Sequence, residues 1–151
     1  MNIPKIKESV NVIIKSNTSV SEKLQNICNY LKQEIDYFHW VGFYFKNGNK
    51  NELKLAEFAG EPTEHIIIPF GKGICGQVAI SNKNFIVPDV SAQENYISCG
   101  WKVKSEIVIP IFVQGKNIGQ IDIDSHIVNP FSKDDEILLE YVCEKVSEIL
   151  S

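Results

Sequence analysis

The chain has 151 residues, of which 44% are hydrophobic, enough to bury the core of one domain of ordinary size. Its formal net charge of -4 excludes the basic surface that nucleic acids or anionic membranes require. The sequence shows neither an apolar run of transmembrane length nor a secretory signal pattern. We therefore expect one domain over residues 1–151, located in the cytoplasm.

The four cysteines are Cys28, Cys75, Cys99 and Cys143. In a cytosolic protein, cysteines indicate packing, redox or metal-binding roles rather than structural disulfide bonds. They form no C-x-x-C pair, and Cys99 follows Cys75 by 24 positions, so their spacing gives little support to a zinc site.

Two helices are predicted near the N-terminus, over residues 4–15 and from Ser19 onward. Ser19 followed by Glu22 is a capping-box signature. Apolar residues recur at helical spacing in both segments: Ile6, Val10, Ile13 and Ile14, then Leu24, Cys28, Leu31 and Ile35. Cys28 is therefore predicted to be a buried core thiol.

Residues 38–45 are aromatic and β-branched, and a turn at 47–49 predicts a hairpin with residues 52–58. Trp40 and Tyr44 are four positions apart and so share one face of the strand. They either fill the core or form the wall of an apolar pocket with a polar rim. His39 has the opposite orientation and is predicted to lie on the surface.

A glycine-rich stretch at 70–76 predicts a loop that leads into a helix at about 77–81. It fits neither the phosphate-loop pattern nor the dinucleotide fingerprint. Cys75 is either structural or a redox thiol whose pKa is lowered by exposed backbone N–H groups at the helix N-terminus.

Residues 85–87 predict a short strand, and residues 91–104 a long loop that carries Cys99. Lys102 and Lys104 follow closely, and nearby positive charge favours the thiolate over the thiol. Cys99 is therefore a candidate nucleophile.

Two apolar strands are predicted at 105–113 and 116–124, joined by a Gln-Gly turn. Glu106 opens the first strand, while Asp122 and Asp124 share a face at the end of the second. Two like charges on one face repel each other unless a cation compensates. The aspartates therefore mark either a solvent-exposed strand end or a site for an ammonium group.

A C-terminal helix opens at Ser132, where the acidic residues at 134–136 suit a helix N-terminus. Cys143 lies on its apolar stripe and is predicted to be inert. The order of elements predicts an α+β domain with a mainly antiparallel sheet and helices packed largely on one face.

The chain resembles the free methionine-(R)-sulfoxide reductases, which are stand-alone GAF domains. The resemblance rests on H-W-V-G-F-Y at 39–44, I-P-F-G-K-G-I-C-G at 68–76 and I-D-I-D-S at 121–125. It also rests on the interval of seven positions between Cys99 and Glu106. The motifs span nearly the whole chain and imply the GAF fold.

The resemblance also implies an activity, the thiol-dependent reduction of free L-methionine-(R)-sulfoxide. Cys99 would attack the sulfur, and Cys75 or an external thiol would resolve the sulfenic acid. The reductant would be of the thioredoxin class, and neither a metal nor a flavin would be needed. The implied site residues are Cys99, Cys75 and Glu106 for catalysis, with Trp40, Tyr44, Glu106, Asp122 and Asp124 for substrate binding. A homodimer through the terminal helices is a further expectation.

The sequence departs from the family pattern at two positions. Many members carry a third cysteine ten residues before Cys75, where this chain has His65, and Gly100 replaces the aspartate that commonly follows Cys99. Cys75 or an outside thiol would then act as the resolver. The alternative function is a non-catalytic GAF module that binds a small molecule or senses redox state. Such a module would pass its signal to an output domain, and the sequence shows none.

Overall fold

A computed structural model describes residues 1–93 and 102–151 of the chain. The helices are α1 (Ile3–Lys15), α2 (Val20–Glu34), α3 (Gly73–Ser81) and α4 (Lys133–Leu150), with a short 3-10 helix at Val90–Ala92. The strands are β1 (Trp40–Lys46), β2 (Glu52–Ala59), β3 (Ile67–Pro69), β4 (Phe85–Val87), β5 (Ser105–Val113) and β6 (Lys116–Ser125). These strands form one antiparallel sheet in the order β3-β2-β1-β6-β5-β4.

The two faces of the sheet are covered differently. Buried residues of α1, α2 and α4 form one large apolar cluster with one face of β1, β5 and β6. The opposite face packs against α3 and forms a smaller cluster with it. The predicted α+β class and the helices gathered largely on one face are therefore confirmed, with α3 as the helix on the other side.

The cysteines of α2 and α4 belong to the large cluster, as predicted. Cys28 Sγ lies 3.7 Å from the carbonyl oxygen of Glu57, and Cys143 Sγ lies 3.6 Å from that of Ile109. Burial raises the pKa of both thiols, so they stay protonated and pack as small hydrophobic groups.

Two helix starts carry the expected caps. The Ser19 hydroxyl accepts a hydrogen bond from the Glu22 backbone N–H at 3.1 Å. Ser132 and Asp135 form a reciprocal capping box at the start of α4. No helix within the two described ranges has the length and apolarity that crossing a membrane requires.

The prediction for α3 was wrong at its start, because the helix begins at Gly73 rather than near Gln77. The glycine loop folds back onto the first turn, where the Gly71 backbone N–H donates to the Gly76 carbonyl at 2.8 Å. A Cβ on Gly76 would lie only 2.6 Å from the Pro69 carbonyl oxygen, so this approach requires glycine. As a result Cys75 lies inside the helix and is buried.

Strand register brings the acidic residues together. Asp124 of β6 pairs with Glu106 of β5 on one side and with Trp40 of β1 on the other. Two residues along β6, Asp122 pairs with Gly42 in β1. Side chains two apart on a strand share a face, so Asp122, Asp124 and Glu106 all point to the α3 side.

Candidate active site

A cavity of about 260 Å³ opens between the sheet and the segment that follows β2. Trp40 and Tyr44 form one wall, with ring centroids 6.3 Å apart. The Trp40 indole N–H donates to the Glu61 carbonyl at 3.0 Å, and the Tyr44 hydroxyl donates to the His65 carbonyl at 2.9 Å. Both rings are thus buried and held in place, and both line the cavity.

Gly42 allows the indole of Trp40 to lie flat along the strand. A Cβ at this position would lie 2.3 Å from Cη2 and 2.6 Å from Cζ3 of that ring. Phe58 stacks on the indole, with centroids 5.6 Å apart and planes 17° apart. The glycine therefore matters for the position of the aromatic wall, a role that the sequence analysis missed.

Beside the aromatic wall, on the same face of the sheet, lie Glu106, Asp122 and Asp124, which expose 4%, 2% and 2% of their surface. The prediction that the two aspartates mark a solvent-exposed strand end is therefore wrong, because α3 and the segment after β2 cover this face of the sheet. The Glu106 side chain forms hydrogen bonds with both aspartates.

The buried aspartates hold protons more tightly than exposed ones do. Burial raises the pKa of Asp122, and burial together with the neighbouring Asp122 charge raises the pKa of Asp124 well above its usual value. Oδ1 of each aspartate is buried without a hydrogen-bond partner among the described residues. The cluster therefore suits a cationic ligand that would satisfy these oxygens.

Cys75 extends from α3 toward the same acids. Its Sγ lies 3.7 Å from Glu106 Oε2, and only 5% of the residue is exposed. Burial, followed by the charges of Asp122, Glu106 and Asp124, raises the pKa of the thiol well above its usual value. The sequence suggested that the helix N-terminus would lower the pKa of this thiol. That prediction is wrong, because desolvation and three carboxylates outweigh the helix dipole.

Gln120 also belongs to this face, two residues before Asp122 in β6. It is fully buried, and its side-chain amide donates to the Cys75 carbonyl at 3.1 Å. This bond ties α3 to the sheet next to the acids. The sequence signal was available, because Gln120, Asp122 and Asp124 alternate with isoleucines.

His39 is partly exposed, which agrees with the predicted surface position, and it also lines the cavity. Its ring stacks on His126 with centroids 4.0 Å apart and planes 4° apart. Its Nδ1 accepts a hydrogen bond from the His126 backbone N–H at 3.0 Å. The pKa of His39 is lowered by burial and by the neighbouring His126 and Lys32.

Cys99, the predicted nucleophile, lies outside the described residues. Lys102, the first described residue after the gap, lines the cavity and lies with Nζ 3.6 Å from Glu61 Oε1. The structure thus brings together six of the seven predicted site residues: Trp40, Tyr44, Cys75, Glu106, Asp122 and Asp124.

The family model described as GAF domain matches residues 17–151. The chain belongs to the GAF-domain family. A GAF domain-containing protein of Dictyostelium discoideum is 41% identical over 119 residues, which cover 79% of this chain and 73% of the relative. The expected fold is confirmed by this family match.

Two similar solved structures belong to one group of enzymes within the GAF family. The free methionine-R-sulfoxide reductase of Staphylococcus aureus, in its reduced form, is 34% identical with a TM-score of 0.91, covering 99% of this chain and 96% of that one. The reductase of Neisseria meningitidis in complex with its substrate is 33% identical with a TM-score of 0.86, covering 97% and 84%. The expected kinship with the free methionine-R-sulfoxide reductases is confirmed.

Proposed function

We propose that this GAF domain reduces free L-methionine-(R)-sulfoxide to L-methionine with electrons from thiols. One observation carries the proposal: a single cavity is lined both by aromatic rings and by buried carboxylates. The kinship with reductases of this substrate supports it. The volume of about 260 Å³ lies just below the range of roughly 300–1,000 Å³ typical of drug-sized ligands and so suits one amino acid.

The two kinds of residue that line the cavity match the two ends of the substrate. Trp40 and Tyr44 would contact the S-methyl group, since sulfur packs favourably against aromatic rings. Asp122 and Asp124 would bind the ammonium group, whose charge favours their ionised forms despite burial. A peptide-bound methionine sulfoxide has an uncharged amide at that position, and the site would reject it because buried carboxylates would remain uncompensated.

The reaction begins with a thiolate and a proton donor. The Cys99 thiolate attacks the sulfoxide sulfur while the protonated carboxyl of Glu106 transfers its proton to the oxygen. The hydroxyl group of this adduct passes from the substrate sulfur to the Cys99 sulfur as the bond between the two sulfurs breaks. Methionine leaves, and Cys99 is left as a sulfenic acid. The substrate sulfur is reduced and Cys99 is oxidised.

Cys75 then resolves the sulfenic acid. Its Sγ lies 3.7 Å from Glu106 Oε2, so the carboxylate that has just lost a proton is in place to accept the thiol proton. The resulting thiolate attacks the Cys99 sulfur, and the hydroxyl group leaves as water with the proton from Glu106. An external dithiol of the thioredoxin class reduces the Cys75–Cys99 disulfide and completes the cycle.

Steady-state assays with purified protein test the proposal. Free L-methionine-(R)-sulfoxide, its (S) epimer and N-acetylmethionine sulfoxide are offered as substrates, with thioredoxin or dithiothreitol as reductant. We expect turnover of the free (R) epimer alone, its loss in Cys99→Ser, and its retention in Cys143→Ser. Wild-type protein that is folded but inactive with both reductants would instead indicate a GAF module that binds without catalysis.

A further inference from the structure

We propose that Cys75, Glu106 and Asp122 form a binding site for a thiophilic divalent cation of the zinc class. The ligand atoms of these residues, a sulfur and two carboxylate oxygens, all lie within 4.8 Å of one another. The three residues are distant in sequence and meet only because α3 packs on β5 and β6.

The spacing of these atoms is close to what tetrahedral zinc requires. With Zn–S of about 2.3 Å and Zn–O of about 2.0 Å, tetrahedral angles separate sulfur and oxygen by about 3.5 Å. Cys75 Sγ and Glu106 Oε2 are 3.7 Å apart. For this pair of atoms, a shift of a few tenths of an ångström would reach the coordination distance.

A second cavity provides the space for the ion. It measures about 10 Å³, which is roughly the volume that one water-sized sphere occupies. Cys75, Glu106, Asp122 and His65 all line it. Asp122 and Tyr44 also line the larger cavity, so the two cavities adjoin.

A buried polar atom of Asp122 also lacks a partner in the part of the chain that the structure describes. Oδ1 of Asp122 is buried and has no hydrogen-bond partner among the described residues, although the residue exposes only 2% of its surface. A buried polar atom without a partner is costly, and a cation would remove that cost. A thiolate ligand selects zinc-like ions over magnesium or calcium, which prefer oxygen ligands alone.

Metal binding would have a consequence for catalysis, which rests on the function proposed above. A metal-bound Cys75 sulfur is not available to attack the Cys99 sulfenic acid, so the ion would inhibit thioredoxin-coupled turnover. A chelator would restore it. The reaction itself proceeds without a metal, and the binding site exists whether or not the chain is a reductase.

Cobalt titration of the reduced, chelator-treated full-length chain tests the site without reference to activity. We expect one equivalent of Co²⁺ to produce a thiolate-to-cobalt charge-transfer band, which zinc displaces. The band should vanish in Cys75→Ser and persist in Cys99→Ser and Cys143→Ser. In Asp122→Asn the affinity for zinc should fall about tenfold or more.

Absence of the band in wild-type protein, its persistence in Cys75→Ser, or its loss in Cys99→Ser would overturn the proposal. X-ray absorption of the wild-type zinc complex provides a second measurement, which does not depend on the folding of α3 in Cys75→Ser. One sulfur neighbour at about 2.3 Å with oxygen neighbours near 2.0 Å is expected. A first shell of nitrogen and oxygen alone would contradict the site.

Discussion

Glu106 and Asp124 face each other directly across β5 and β6, and neither residue exposes more than 4% of its surface. A hydrogen bond joins their side chains. Ionising both of these buried carboxyl groups would carry a large cost in desolvation and charge repulsion. The pair therefore retains a proton that exposed acids would lose. Burial of this pair therefore lowers the stability of the folded protein at neutral pH.

Replacing Asp124 with asparagine should stabilise the protein at neutral pH while abolishing turnover. The pKa of the Asp124 carboxyl is higher in the folded state than in the unfolded state. The protonated side chain therefore contributes fully to stability at pH values below the unfolded-state pKa. This contribution is lost as the pH rises through the folded-state pKa. We expect Asp124→Asn to increase the free energy of unfolding by on the order of 1–3 kcal/mol at pH 7.

Urea denaturation between pH 4 and pH 8 measures this difference. The difference in free energy of unfolding between Asp124→Asn and wild type should shrink as the pH falls toward the usual pKa range of carboxyl groups. The wild-type Asp124 side chain then becomes neutral, as the asparagine is. Asp36→Asn is the matched control, since Asp36 is exposed. A variant that is less stable than wild type at every pH would show that Asp124 is satisfied in the folded state.

Cys75→Ser should separate the two halves of the catalytic cycle. Methionine formation in a single turnover should remain, since Cys99 performs that step, whereas thioredoxin-coupled turnover should fall roughly tenfold or more. Turnover with dithiothreitol should persist because a small thiol can resolve the sulfenic acid directly. Rapid-quench and steady-state assays measure the two steps, and undiminished thioredoxin-coupled turnover would exclude Cys75 as the resolver.

Gly42→Ala should raise KM for the sulfoxide with a smaller effect on kcat. The new Cβ would overlap the Trp40 ring, which must move off the cavity wall. Titration of the substrate by intrinsic tryptophan fluorescence, together with KM, measures the loss of binding. Gly48→Ala serves as a control, because it meets no atom within 4 Å but has φ of +60°. This control should lose about 1–2 kcal/mol of stability without a change in KM.

Cys28→Ala should affect stability alone. Cys28 is fully buried in the large cluster on the opposite side of the sheet from the cavity. Removing its sulfur leaves a small void, for which we expect a loss of about 1–2 kcal/mol in the free energy of unfolding. Thermal denaturation and steady-state assays check this pair of outcomes. A folded variant with reduced kcat/KM would mean that the large cluster is coupled to the site.

Local sequence was sufficient for most of the fold. The capping pair of α2, the hairpin of β5 and β6, and the shared face of Asp122 and Asp124 follow from helical spacing, turn residues and strand alternation. The buried thiols Cys28 and Cys143 were also predictable, because each lies on the apolar stripe of an amphipathic helix.

Only the tertiary structure decided what those side chains experience. Alternation puts two aspartates on one face but does not show that α3 covers it, and burial raises their pKa values. The position of Cys75 near a helix N-terminus suggested a reactive thiolate. In the folded protein, burial and the carboxylates of β5 and β6 raise the pKa of this thiol instead. Periodicity fixes the direction of a side chain, but its pKa and ligands depend on desolvation and on charges from distant segments.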